Sequence, residues 1–198
     1  SKAAIAYNAS GGYVIGAWEP PTPYYHNRSS SWFVMTEGKN LRNIQNDGHA
    51  HYSLMGITDT GELKYYGSSA NSSEKASIAS KIINDKVQNT FSFGPMLVQN
   101  GKKISGLSSP KAHRQAICQI DSNNYVMVTT IYKMSLDEVA DAMVKVNCKF
   151  GFNLDGGGST QLVIKNAAST TGKKIACRDG SSGTTCRSVF DGIYFIEK

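Results

Sequence analysis

The stretch SLDEVADAMVKVNCKFGFNLDGGGST, residues 135–160, contains a helix pattern, a strand pattern and a glycine loop in direct succession. Apolar residues recur at helical spacing over residues 135–149, which predicts a helix there. Ser135 followed by Glu138 three positions later is the capping-box pattern of a helix start. Residues 151–155 then predict a short strand that runs directly into the glycines.

The rest of the chain is dominated by strand patterns. Apolar runs are separated by pairs such as Glu37-Gly38 and Asn100-Gly101, which predict hairpins because Asn and Gly accept the positive φ of tight turns. About eight to ten strands are expected, with one further helix over residues 72–86, where apolar residues again share a face. We predict an α+β fold over residues 1–198: one domain of mostly antiparallel strands with two principal helices packed on the sheet, which could be a module of a longer protein.

The composition limits the classes of protein to which the chain can belong. Hydrophobic residues make up 40% of its 198 residues and charged residues 18%, which argues against a disordered tail and allows a buried core. No apolar run approaches the roughly 20 residues of a membrane span, so we expect none. The net charge of +6 is spread out without a basic stripe, so no nucleic-acid partner is expected. Because no signal-peptide pattern opens the chain, we expect that a signal has been removed or that the chain is an excised module.

Four cysteines allow three complete pairings. Their spacing contains no CxxC motif, which argues against a zinc cluster. Cys177 and Cys186 enclose a Gly/Ser/Thr-rich segment that is typical of a hairpin tip, so we predict a disulfide between them, with two free thiols as the alternative. We predict that Cys118, on a strand, and Cys148, on a helix, are buried thiols.

The glycine loop is a candidate anion site. Without Cβ atoms, the amides of Gly156, Gly157 and Gly158 can turn toward an anion, and the hydroxyls of Ser159 and Thr160 add further donors. Asp155 stands at the end of the predicted strand, and Asn153 lies two residues earlier on the same face. A tight turn between strands is the structural alternative.

Several blocks of the chain resemble the phosphodiester glycosidase family. Residues 152–160, FNLDGGGST, are similar to its NLDGGGSS/T signature. AYNA with Asn8, FGPMLVQNGK with Gly94, RQAIC beginning at Arg114, and MSLDEVA at residues 134–140 are similar to further family segments and occur in the family's order. Cys118 and Cys148 stand at positions where the family usually has Gly.

The resemblance implies hydrolysis of a sugar-1-phosphodiester at the anomeric carbon. It implies that Arg114 and the 156–158 loop hold the phosphate, and that Asp155 is the catalytic carboxylate. The expected substrate is a cell-surface or cell-wall sugar-phosphate glycan, and the expected location is secreted, extracellular or virion-associated. Contacts to this substrate are assigned to Asn8, Gly94, Asn153, Gly156, Gly157, Gly158, Ser159 and Thr160.

Other interpretations of the same residues remain open. Arg114 could pair with a surface carboxylate, Asp155 could cap its own turn, and the two asparagines could pin backbone. His113 is interpreted as structural. His49 and His51 share a strand face and could bind a metal, but two ligands without an obvious third favour an exposed pair. No cofactor is predicted, and a requirement for a divalent metal is left open. Rival functions are a carbohydrate-binding module, for instance on a phage tail, and a phosphodiesterase that cleaves the P–O bond.

Overall fold

The computed structural model describes residues 3–8, 33–42, 52–67, 71–165, 172–177 and 192–196. These residues form fourteen strands, two α-helices and one 3-10 turn. In chain order the elements are β1 (Ala3–Asn8), β2 (Val34–Thr36), β3 (Lys39–Arg42), β4 (Ser53–Thr58), β5 (Leu63–Gly67), α1 (Ser72–Asn84), β6 (Val87–Phe93), β7 (Met96–Gln99), β8 (Lys102–Lys103), β9 (Gln115–Gln119), β10 (Tyr125–Thr129), α2 (Leu136–Lys145), β11 (Phe150–Leu154), the 3-10 turn (Gly157–Ser159), β12 (Gln161–Lys165), β13 (Gly172–Cys177) and β14 (Gly192–Ile196).

The strands form one five-stranded sheet and three smaller ones. The five-stranded sheet has the order β10-β9-β11-β7-β8, beside sheets of order β13-β12-β1-β14 and β5-β4-β6 and the hairpin β2-β3. Every strand pair among the described residues is antiparallel. The predicted fold class, antiparallel strands with two helices, is confirmed, and the strands are more numerous than the eight to ten expected.

The five-stranded sheet has a different partner on each face. On one face, Ala116 and Cys118 of β9 pack with Val139 and Met143 of α2. On the other face, Ile117 of β9 belongs to a cluster that includes residues of β4, β5 and β6. This alternation follows from the two-residue period of a strand, which sends successive side chains to opposite faces. The sheet is therefore held between α2 and the β5-β4-β6 sheet.

Helix α2 begins where the sequence predicts and ends earlier. The Ser135 hydroxyl accepts from the Glu138 amide at 3.2 Å, and the Glu138 carboxylate accepts from the Ser135 amide at 2.8 Å, which confirms the capping box. The helix ends at Lys145 rather than at residue 149 because Asn147 has a φ of 60°, outside the helical region. Helix α1 similarly ends at Asn84, two residues before the predicted end.

The cysteine prediction is wrong at two positions. Cys118 and Cys148 are fully buried, as expected, but they form a disulfide rather than two thiols. Cys148 lies beyond the early end of α2, and the pairing of Gly151 with Cys118 brings the start of β11 beside β9. The resulting Cα–Cα distance of 5.7 Å suits a disulfide. Sequence spacing missed this pair because the two residues are 30 positions apart.

The second predicted disulfide is not described by the structure. Cys177 ends β13, where only the backbone is described, and Cys186 lies outside the described residues. The pairing of these two cysteines therefore stays a prediction. The Cys118–Cys148 bond by itself fits an oxidising, non-cytoplasmic location.

Removing the Cys118–Cys148 disulfide is expected to destabilise the protein. Chain-entropy arguments for a loop of this length give a loss of about 3–4 kcal/mol in the free energy of unfolding. Cys118→Ala and the double variant Cys118→Ala/Cys148→Ala should lose similar amounts, because either change removes the bond. Urea denaturation checks the loss. Free alkylation of both cysteines in non-reducing peptide mapping of oxidised protein would contradict the disulfide.

Candidate active site

The register between β9 and β11 brings the two principal site residues together. Leu154, the last residue of β11, pairs with Gln115, the first residue of β9. Because the strands are antiparallel, Asp155 and Arg114 follow directly on neighbouring positions at this end of the sheet. Residues far apart in the sequence therefore meet at one end of the sheet, where β11 ends and β9 begins.

The glycine loop crosses the backbone just before β9. A Cβ at Gly156 would lie 2.5 Å from the carbonyl oxygen of His113 and 3.3 Å from the Cα of Arg114, so only glycine fits there. The amide of Gly157 donates to the same His113 oxygen at 2.7 Å. The loop is thus attached directly to the segment that carries Arg114.

Part of the loop's hydrogen-bonding capacity is used inside the loop. The Ser159 amide donates to the Gly156 carbonyl at 2.9 Å, and the Thr160 amide donates to the Gly157 carbonyl at 3.3 Å. Together with the Gly157–His113 bond, these contacts form the tight turn that was the structural alternative. The amides of Gly156 and Gly158 take no part in these bonds and remain the candidates for anion binding.

Asn153 positions the neighbouring turn between β6 and β7. Its side-chain amide donates to the Gly94 carbonyl at 2.7 Å, and its backbone exchanges hydrogen bonds of 3.0 Å with Gly94 and Pro95. Gly94 has a φ of 85°, and a Cβ there would lie 2.9 Å from the Cβ of Ser53. Asn153 therefore fixes the backbone of the turn at Gly94 and Pro95, as its structural alternative stated.

Among the described residues, three buried polar atoms near the glycine loop have no hydrogen-bond partner. One is Nδ1 of His113, and the other two are side-chain oxygens: Oδ1 of Asn153, in a side chain only 1% exposed, and Oγ1 of Thr160, which is fully buried. Leaving a buried polar atom unpaired costs roughly 1–3 kcal/mol, so such atoms call for a partner. Asn153 lies just before the loop and Thr160 closes it, so both atoms are candidates for binding substrate hydroxyls.

The Arg114 guanidinium is bound to carbonyl and hydroxyl oxygens rather than to a carboxylate. Nε donates to the Met134 carbonyl at 3.2 Å, and Nη2 donates to the Ser109 hydroxyl at 3.2 Å and to the Pro110 carbonyl. Burial lowers the pKa of Arg114 from its ordinary value, but an arginine remains charged. In the described part of the chain Arg114 forms no salt bridge. No contact among the described residues uses Nη1, so its two donors and the positive charge are candidates for binding an anion.

The start of α2 is tied to Arg114 through Ser109. The Ser109 hydroxyl accepts from both the Leu136 amide, at 2.9 Å, and Arg114. At the same helix start, Lys111 donates a hydrogen bond of 2.6 Å to the Glu138 carboxylate. This bond and the capping-box bonds lower the pKa of Glu138 to about 2. Glu138 is therefore ionised throughout the physiological range, and its charge stabilises the helix N-terminus beside Arg114.

Sequence reasoning missed Gln115. This fully buried side chain donates from Nε2 to the Gln161 carbonyl at 2.6 Å and accepts from the Gln161 amide at 3.2 Å. It therefore joins the start of β9 to the strand that follows the glycine loop. A polar residue at a core position of an apolar strand was the available signal, because buried amides need such partners.

Other sequence predictions fall wholly or partly outside the described residues. Asn8 ends β1 opposite Gly192, but its side chain is not described. His49 and His51 also lie outside. By contrast, the structure does describe Asp155 and Gly158, and both are half-buried. Within the described ranges, no group of three or more His, Cys, Asp or Glu is arranged to hold a metal ion, and neither helix is long and apolar enough to cross a membrane.

Comparison with known proteins adds a family and a fold. The family model described as phosphodiester glycosidase matches residues 2–196. The catalytic domain of zebrafish N-acetylglucosamine-1-phosphodiester α-N-acetylglucosaminidase, auto-inhibited by its pro-peptide, is similar in fold, with a TM-score of 0.65 and 16% identity. The similarity covers 100% of this chain and 64% of the zebrafish chain.

A second structural match is weaker. A hypothetical protein from Synechocystis is 15% identical, with a TM-score of 0.47 over 82% of this chain and 47% of its own. Among curated proteins, no sequence is significantly similar to this chain.

Substitutions at two adjacent glycines are expected to differ in effect. Gly156→Ala should lower the free energy of unfolding by at least about 2 kcal/mol, because its Cβ would push the loop off the His113 carbonyl. Gly157→Ala, at a φ of 56° with nothing within 4 Å of its Cβ, should cost only about 1 kcal/mol of backbone strain. Urea denaturation of both variants checks this. Equal stability of Gly156→Ala and wild type would show that the loop does not need the close approach.

Proposed function

The chain belongs to the phosphodiester glycosidase family, and on that premise we propose that it hydrolyses a sugar-1-phosphodiester at the anomeric carbon. The observation that carries the proposal is that Arg114, which has no carboxylate partner among the described residues, lies next to Asp155 at one end of the sheet and beside the glycine loop. In the reaction water adds to the anomeric carbon, the bond from that carbon to the phosphate oxygen breaks, and a phosphate monoester leaves.

The phosphate side needs positive charge more than it needs a proton donor. A departing phosphate monoester has a second pKa of about 6 and is a good leaving group. The Nη1 edge of Arg114 offers two N–H donors beyond those bound to Met134, Ser109 and Pro110. The amides of Gly156 and Gly158, which form none of the loop hydrogen bonds described above, are the proposed second wall of the phosphate site.

The sugar side needs a carboxylate and hydroxyl-binding groups. Asp155 is the proposed carboxylate, which either stabilises an oxocarbenium-like centre or activates water. The oxygens of Asn153 and Thr160 that have no partner among the described residues are proposed to bind sugar hydroxyls. Asn8, Gly94 and Ser159 are proposed as further substrate contacts.

The proposal also includes a substrate class and a cellular location. The zebrafish neighbour is named for an N-acetylglucosamine-1-phosphodiester, so diesters of that sugar are the first substrates to test. We propose a cell-surface or cell-wall sugar-phosphate glycan as the natural substrate and a secreted or virion-associated location. The Cys118–Cys148 disulfide supports export to an oxidising compartment.

Isotopically labelled water distinguishes this reaction from its rivals. Label in the released sugar supports cleavage of the sugar–oxygen bond. Label in the phosphate would show a phosphodiesterase that cleaves the P–O bond. Tight glycan binding without product after prolonged incubation would indicate a carbohydrate-binding module.

Asp155→Asn is expected to lower kcat at least about 100-fold, because acid–base groups typically contribute 10²–10⁴-fold. The change keeps the size and most turn hydrogen bonding of the side chain but removes its charge. Substrate binding and Tm should stay close to those of wild type. If Asp155 only caps the turn, Asn serves almost equally well and turnover persists. Steady-state kinetics with a thermal melt decides between these outcomes.

Arg114→Lys is expected to lower kcat/KM about 10- to 100-fold, because an ammonium keeps the charge but loses the planar set of donors. Arg114→Ala should lower kcat/KM further and also lower Tm, since Met134, Ser109 and Pro110 lose their donor. Lys111→Ala is the matched control: it removes a nearby cation that is bound to Glu138 rather than to the site. Unchanged kcat/KM in both Arg114 variants would place the phosphate elsewhere.

A further inference from the structure

The turn between β10 and α2 exposes two neighbouring apolar side chains. Ile131 is 69% exposed and Tyr132 is 80% exposed. The other large exposed hydrophobics of the described residues, Ile83 and Val146, are less exposed, at 54% and 42%, and stand singly. Single exposed apolar residues are ordinary, whereas an adjoining pair at the edge of a polar site is a candidate for ligand contact.

Both ends of this turn are bound to the segment that carries Arg114. Thr130 accepts from the Arg114 amide through its hydroxyl at 2.8 Å and donates its own amide to the Arg114 carbonyl at 2.9 Å. Met134 exchanges backbone hydrogen bonds of 2.8 and 3.1 Å with Ala112, and its carbonyl accepts from Arg114 Nε. The backbone of residues 131–133 is therefore held beside His113 and Arg114.

The sheet order fixes which side of Arg114 the turn occupies. In the order β10-β9-β11, the continuation of β11 lies on one side of Arg114 and the continuation of β10 lies on the other. Asp155 and Gly156 belong to the first. Thr130 belongs to the second and lies opposite Arg114, and Tyr132 lies in the bulged segment 131–133 that follows it opposite His113. Neighbouring strands are about 5 Å apart, so the three segments lie in a row across roughly 10 Å.

This row matches the order of groups in the proposed substrate. If Asp155 acts at the anomeric carbon and Arg114 binds the phosphate, the turn after β10 faces the alcohol that is esterified to the far side of the phosphate. We propose that Tyr132 contacts this leaving alcohol and makes the protein prefer alcohols that carry a ring. The inference rests on the proposed function, because that function fixes the order of sugar, phosphate and alcohol.

The chemistry of the turn suits such a contact. An exposed tyrosine ring offers a flat apolar face with a polar hydroxyl at its edge, which is the amphipathic character of a sugar or other polar ring. Lys133, also exposed, adds a positive charge on the same turn for an anionic diester. A small alkyl alcohol would leave the tyrosine face uncovered and gain little from it.

The test compares two diesters of N-acetylglucosamine-1-phosphate: a methyl ester and an ester with a pyranose alcohol. Tyr132→Ala is expected to lower kcat/KM about tenfold for the pyranosyl diester and to leave the methyl diester within about twofold, because only the ring contact is lost. Tyr132→Phe should keep most of the preference. Ile83→Ala, an exposed apolar side chain on α1, is the matched control and should change neither value.

Equal rates for wild type and Tyr132→Ala on the pyranosyl diester, or equal losses on both diesters, would overturn the inference. Calorimetric binding of the same two diesters separates it from the proposed function. If wild type binds the pyranosyl diester without hydrolysing it and Tyr132→Ala weakens that binding about tenfold, the contact stands and the proposed reaction fails. If wild type hydrolyses neither diester and binds neither, both are overturned.

Discussion

The antiparallel pairing of β9 with β11 is the constraint on which the other features of the structure depend. It sets Leu154 opposite Gln115 and Gly151 opposite Cys118. At one end of the pair this register places Arg114 beside the Asp155–Gly156 turn, and at the other it places Cys118 within reach of Cys148. A slip of one residue would reverse the faces of β9, turning Cys118 away from α2 and its partner.

Helix α2 is attached to the sheet near both of its ends. At its start, the Ser109 hydroxyl binds the Leu136 amide and the Arg114 guanidinium together. Beyond its end, the Cys118–Cys148 disulfide joins the chain to β9. The bond joins the two cysteines that the sequence analysis predicted to be separate thiols. These attachments give Arg114 a fixed position at the site.

The glycine loop combines a structural and a proposed chemical task in neighbouring atoms. Gly156 is required because the backbone of His113 lies against it, and the amide of Gly157 strengthens that contact. The atoms left without partners, such as Oδ1 of Asn153, carry a cost in stability that a bound substrate would remove. In the described part of the chain, the proposed active site thus includes buried polar atoms that the fold leaves without a partner.

The features that the sequence determined by itself are those made by residues close together in the chain. The capping box of Ser135 and Glu138 and the Asn100-Gly101 turn depend on hydrogen bonds or φ values within a few residues, so their patterns predicted them correctly. The tertiary structure alone decided the Cys118–Cys148 bond, the oxygen partners of Arg114 and the need for glycine at position 156. Each of these depends on which distant strands pair and in which register, and a local pattern carries no information on that choice.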